Sequence, residues 1–93
     1  MDFEINHLIE KGRFSAIVDG QEAILSYRKE DESTLNFLSV YVPESLRGGG
    51  IAAKIVKHGL EYAKENNFRV IPTCWYVKKY IERHEEYQDM VAD

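Results

Sequence analysis

Residues 42–67 read VPESLRGGGIAAKIVKHGLEYAKENN, a run of three glycines, Gly48 to Gly50, set directly before a helical pattern. From Ala52 onward, Ala52, Ile55, Val56, Gly59, Leu60 and Ala63 repeat at helical spacing, while Lys54, Lys57, His58, Glu61 and Lys64 fall on the opposite side. The spacing predicts an amphipathic helix that ends near Asn66-Asn67. Each glycine in or beside a helix costs roughly 0.5 to 1 kcal/mol relative to alanine, so a run of three there needs a physical purpose.

Upstream of the glycines the pattern has period two: Phe3, Ile5, His7 and Ile9; Phe14, Ala16 and Val18; Ala23, Leu25 and Tyr27; Leu35, Phe37, Ser39 and Tyr41. These are four strands. Asp19-Gly20 is a two-residue hairpin signal, because both central positions of that turn take positive φ. Lys11-Gly12 and Lys29 to Ser33 supply the other turns of an antiparallel meander. Downstream, FRVIP is a fifth strand that stops at Pro72, and CWYVKKYIERH is a shorter helix with Val77, Tyr80 and Ile81 on one side. HEEYQDMV supplies a last turn. A strand, a helix and another strand normally form a right-handed crossover, so strands four and five are expected to run parallel.

The 93 residues, 44% of them hydrophobic, provide material for one core, and a single domain over residues 1–93 is expected. The start is acidic rather than basic, and no apolar run is long enough to span a bilayer, which points to a cytoplasmic protein without a membrane role. Cys74 is the one cysteine, and neither CxxC nor HExxH spacing occurs, so neither a disulfide nor a metal site is expected. A net charge of -4 argues against nucleic acid held by phosphate neutralisation. The charge is uneven, however. Residues 44–64 carry four basic and two acidic side chains, whereas both flanking segments are net negative. The positive segment contains the glycines.

A helix N-terminus exposes unpaired N–H groups and the positive end of the helix dipole, and glycines before it let an anion approach the backbone. Arg47 stands at the entrance of this cradle, with Lys54 and Lys57 adding longer-range attraction. A small phosphate-bearing molecule fits better than a polymer. The P-loop pattern is absent, since Gly50 is followed by Ile51. Gly48, Gly50 and Ala53 match GxGxxA, yet Pro43 to Leu46 separates them from the strand, and Pro72-Thr73 closes the next strand without a ribose-binding acid.

RGGGIA, Arg47 to Ala52, resembles the R/Q-x-x-G-x-G/A acetyl-coenzyme A signature of the GNAT N-acetyltransferases. The likeness extends over most of residues 22–91, to small stand-alone GNAT-like proteins with a cysteine shortly after the fifth strand. It departs in having Glu85 where those proteins often carry proline; relative to full-length family members, the chain also lacks the two helices that usually follow strand one and help wall the acceptor site. The resemblance implies a minimal GNAT fold of mixed α/β (α+β) type and acetyl-coenzyme A as cofactor. The backbone of Arg47, Gly48, Gly49, Gly50, Ile51 and Ala52 would hold the pyrophosphate. Strand four around Val40 to Val42 would pair with the pantetheine arm as an added strand does, and the thioester would lie where strands four and five splay.

Acetyl transfer to an amine needs a neutral amine, a donor to the developing oxyanion and a proton for the leaving thiolate. Tyr80 matches the position from which a tyrosine often supplies that proton in the larger family. Its other role is to pack its ring on the sheet. Cys74, just past strand five, is open to three roles: nucleophile, proton donor or small buried hydrophobe. His58 reads as a solvated helix residue and His84 as a cap or surface residue, while Glu30-Asp31-Glu32 reads as a solvated turn. Trp75, Tyr76 and Tyr87 are expected to cover the sheet or the chain end. Two functions follow: an N-acetyltransferase acting on an unidentified amine, or a coenzyme A or acyl-coenzyme A binding module working through a protein partner. Either is compatible with a monomer or a weak homodimer formed through a sheet edge.

Overall fold

The structure is a computed structural model and describes residues 3–92. One sheet in the order β1-β2-β3-β4-β5 holds β1 (Ile5–Leu8), β2 (Arg13–Val18), β3 (Gln21–Asp31), β4 (Thr34–Tyr41) and β5 (Arg69–Pro72). The first three pairings are antiparallel and β4 with β5 is parallel, as the crossover through helix α1 (Ile51–Glu65) requires. Asp19 and Gly20 both take positive φ, 51° and 74°, and close the β2–β3 hairpin.

Three details depart from simple alternation. Ile9 leaves the first strand for a 3-10 turn over Ile9–Lys11 and is 65% exposed. Gly12 ends that turn at φ 64°, and a Cβ there would stand 2.8 Å from the Tyr27 carbonyl oxygen, so the position excludes any side chain twice over. The turn between β3 and β4 is shorter than the charged stretch suggests: the strands stay paired to Asp31 and Thr34, and the Asp31 carboxylate accepts the Ser33 N–H at 2.9 Å.

The third detail shapes the site. Ser26 pairs with Ser39 but Tyr27 pairs with Phe37, which leaves Leu38 as an extra residue in β4. Such a bulge shifts the side-chain phase. Leu35 and Phe37 are buried as expected, but Ser39 and Tyr41 are exposed, and Val40 and Val42 turn toward the helix side in their place.

Helix α1 begins at Ile51, one residue before the expected start, so that Ile51 is buried and Ala52 is only half-buried. Its core face is Ile51, Ile55, Val56, Gly59, Leu60 and Ala63. These pack on Phe14, Ala16, Leu25, Leu35 and Phe37, and a fully buried side chain of this size contributes about 1.5 to 3 kcal/mol. At its other end, Asn67 takes φ 59° and Phe68 N–H reaches the Ala63 carbonyl at 2.8 Å, turning the chain into β5.

Helix α2 (Trp75–Glu82) buries Val77 and Ile81 beside α1. A final 3-10 turn over Glu85–Met90 buries Tyr87, whose hydroxyl donates to Glu61 of α1 at 2.5 Å. Val91 then forms a parallel bridge with Val70, covering the outer edge of β5. The helices therefore occupy the Phe14–Phe37 face. Ile17, 54% exposed, marks the opposite face as open.

Candidate functional site

The approach to α1 is built by local hydrogen bonds. Pro43 leads into a 3-10 turn over Glu44–Leu46, whose end is fixed when Arg47 N–H donates to Glu44 and Arg47 Nε donates to the Val42 carbonyl at 2.9 Å. The Arg47 amide is thereby occupied, and the guanidinium is anchored to the end of β4. Gly48 and Gly50 take φ of 92° and 80°, which L side chains rarely adopt, and a Cβ at either would meet nothing within 4 Å. Gly50 caps α1 without any side-chain hydrogen bond. Among the described residues, no acceptor faces the backbone N–H groups from Gly48 to Ala53. A row of donors at the positive end of the helix dipole thus opens onto free space.

The adjoining groove comes from the bulge. Parallel pairing of β4 and β5 ends at Phe37 with Pro72, followed by one hydrogen bond from Cys74 N–H to the Phe37 carbonyl at 3.0 Å. Beyond this point β4 keeps its β3 partners through Tyr41 but, among the described residues, has no paired strand on the β5 side. Two depressions that share Val42, Arg47, Ala52 and Tyr76 lie along the gap, and a third adjoins them through Tyr76. One of about 320 Å³ is lined by the glycine loop, Ala52 and Tyr76. Another of about 310 Å³ has Val40, Val42, Arg47, Cys74 and Trp75 on its walls. A third of about 520 Å³ lies between Ala53, Tyr76, Tyr80 and His84.

The structure brings Val40, Val42, Arg47, Gly48, Gly50, Ile51, Ala52 and Cys74 to one continuous groove, with Gly49 inside the loop. Cys74 is buried at the N-cap of α2. Tyr80 lines the neighbouring depression instead, stacked on His84 with ring centroids 3.8 Å apart. Burial, and next the nearby Glu86 carboxylate, hold the Tyr80 phenol above its ordinary range, which keeps it protonated at neutral pH. His84 Nδ1 lies 2.7 Å from the Tyr80 carbonyl, and since a carbonyl only accepts, that nitrogen carries the proton. His84 is therefore a cap to α2. His58 is exposed, with Phe14 edge-on at 5.6 Å. Lys54 lies over the Phe3 ring.

Sequence reasoning missed the aromatic walls. Tyr76 lines all three depressions, and Trp75 is 73% exposed at the start of α2 rather than covering the sheet. Their local signal, a Trp-Tyr pair right after the strand-ending Pro72-Thr73-Cys74, is readable only once the groove is known. Glu30 is likewise more than a solvated turn residue: it receives Arg28 Nε and Nη2 at 2.9 and 2.7 Å and Asn36 Nδ2 at 2.9 Å. These bonds, Arg28 first, hold its carboxyl below the ordinary range.

A sequence profile described as GCN5-related N-acetyl-transferase matches residues 13–90. The chain belongs to the GCN5-related N-acetyltransferase (GNAT) family. It is similar to Protein NATD1 of Xenopus tropicalis, with 28% identity over 82 residues that cover 86% of this chain and 75% of that one. Human Protein NATD1 is 27% identical over 82 residues, covering 86% and 73%. The NMR structure of a GCN5-like protein from Staphylococcus aureus aligns with a TM-score of 0.75 at 30% identity, covering 96% of this chain and 87% of that one. The GNAT fold accounts for the mixed sheet, its single parallel pair and the helix between those two strands.

Proposed function

We propose that the protein is an acetyl-coenzyme A dependent N-acetyltransferase that acylates an amine. The observation that carries this is the conjunction of two sets of unpartnered backbone groups, the N–H row from Gly48 to Ala53 and the free side of β4 beyond Phe37, along one groove. The cofactor's chemistry fits both: a pyrophosphate suits the N–H row, and the amides of a pantetheine arm suit a strand without a neighbour. Gly48, Gly49, Gly50, Ile51 and Ala52 would hold the first, Val40 to Val42 the second. Acetyl-coenzyme A supplies the activated acyl group. Arg47 contributes by anchoring the loop to Val42, and its guanidinium adds positive charge near the phosphates.

Cys74 at the opening and Tyr80 one depression away are the candidates for moving a proton to the leaving thiolate. Cys74 also has the position to accept the acetyl group itself. A coenzyme A binding module with little turnover is the second reading, favoured by the open sheet face and the separation of Tyr80 from Cys74. The test is incubation with acetyl-coenzyme A and a panel of amines, reading thiol release and protein mass. Thiol release that depends on the amine, reduced by about 100-fold in Cys74→Ala or Tyr80→Phe, identifies the enzyme and its proton donor. Binding without release in the wild-type protein would leave the module.

A further inference from the structure

The hydrogen-bond chain on the open face has a fixed direction. A carboxylate can only accept, so Glu30 Oε2, already bound by Arg28, forces Asn36 to present its Nδ2 at 2.9 Å. The Asn36 oxygen must then face Thr73, whose hydroxyl donates to it at 2.6 Å. Asn36 is 8% exposed and is held on both sides, which denies its amide the freedom to flip. Thr73 has thus spent its one proton, and its remaining lone pairs can only accept a hydrogen bond. Its side chain is exposed, and it is the first residue past the last β4–β5 pair and directly precedes Cys74.

Asn36 lies between Leu35 and Phe37 in β4, so it and Thr73 occupy the face opposite the helices, whereas the glycine loop and α1 lie on the helix side. Resting on the acetyltransferase reading, we infer that the acceptor amine enters from the open face and donates an N–H to the Thr73 hydroxyl oxygen, meeting the cofactor across the β4–β5 opening. A group that donates a hydrogen bond and carries a lone pair matches Thr73 and the thioester at once. A hydroxyl without the polarising chain would be free to rotate and would select donors and acceptors alike.

Isotope-labelled protein, with and without saturating coenzyme A, would be titrated with n-butylamine and with an end-blocked peptide bearing one lysine, following amide resonances. Either probe should shift Thr73 and the Asn36 side-chain amide, and the better of the two identifies whether a free or a peptide-borne amine is taken. Thr73→Val should weaken the better probe about 10-fold, Thr73→Ser should restore it, and coenzyme A shifts from Gly48 to Ala52 should be the same in all three proteins. A merely structural role for Thr73 would disturb the coenzyme A shifts as well. Equal amine affinity in Thr73→Val, or no shift at Thr73 and Asn36 with either probe, overturns the proposal. Absence of coenzyme A binding would instead strike the acetyltransferase reading, and the amine titration without cofactor would still decide the role of Thr73.

Discussion

Gly50 caps helix α1 and Gly59 lies within it, and the two are glycine for opposite reasons. At Gly59 a Cβ would lie 2.6 Å from Leu25 Cδ2, 3.3 Å from Phe37 and 3.4 Å from Phe14, so a side chain there would force Leu25 to shift before α1 could settle on the sheet. At Gly50 a Cβ would meet nothing within 4 Å, and the constraint is the positive φ at the start of α1, where the backbone N–H groups have no acceptor among the described residues. The first position holds the fold together. The second carries no packing constraint, and it is there that we propose the cofactor's phosphates bind.

Substitutions can break the contrast or sharpen it. The largest effect is expected from Gly50→Trp, which should leave the fold in place at a cost of about 1 to 2 kcal/mol for the left-handed backbone yet lower coenzyme A affinity by more than 100-fold in a calorimetric titration. Retained tight binding would remove the functional half of the comparison. Gly59→Val should be its mirror image, losing at least about 1 to 3 kcal/mol in urea denaturation because Leu25, Phe14 and Phe37 are fully buried and cannot yield freely. Gly59→Ala sharpens the point. It sets a helix-propensity gain of up to about 1 kcal/mol against the same close contact, and a net loss of stability would show that packing dominates.

Smaller effects concern the frame around α1. Tyr87→Phe removes the hydrogen bond to Glu61 and should cost about 1 kcal/mol in thermal denaturation, with coenzyme A binding unchanged. His7, stacked on Phe14 and hydrogen-bonded to Tyr27, is held below its ordinary 6.5, mainly by burial and then by His58. The folded protein then binds fewer protons here than the unfolded chain. The contribution is fully present above pH 6.5 and is lost as pH falls below 6.5 through the lowered folded value. Urea midpoints measured across that window should decline, and less so in His7→Phe.

The parts of the molecule that were legible in the sequence are those set by local rules. Asp19-Gly20 announces its hairpin, the apolar positions of α1 announce a helix, and the glycine run before them announces a loop of unusual backbone. The Leu38 bulge is different: it is a property of pairing with β3, and Phe37 and Leu38 are both apolar, so no residue marks the phase change that exposes Tyr41 and turns Val40 inward. The Thr73–Asn36–Glu30 chain was illegible for a related reason. Thr73 and Asn36 are distant in sequence and meet only because β4 and β5 pair in parallel. Trp75 could be read as apolar, but its exposure follows from the direction in which α2 leaves Cys74.

On the proposed reading, the free N–H groups beyond Arg47 and the unpaired side of β4 form one cofactor groove. Titrating labelled protein with coenzyme A, and reading backbone amide shifts residue by residue, tests it most directly. The largest shifts are expected from Gly48 to Ala53 and from Val40 to Val42, with little change at Gly59 or in β1. Shifts confined to other regions, or none at the glycines at millimolar coenzyme A, would contradict it.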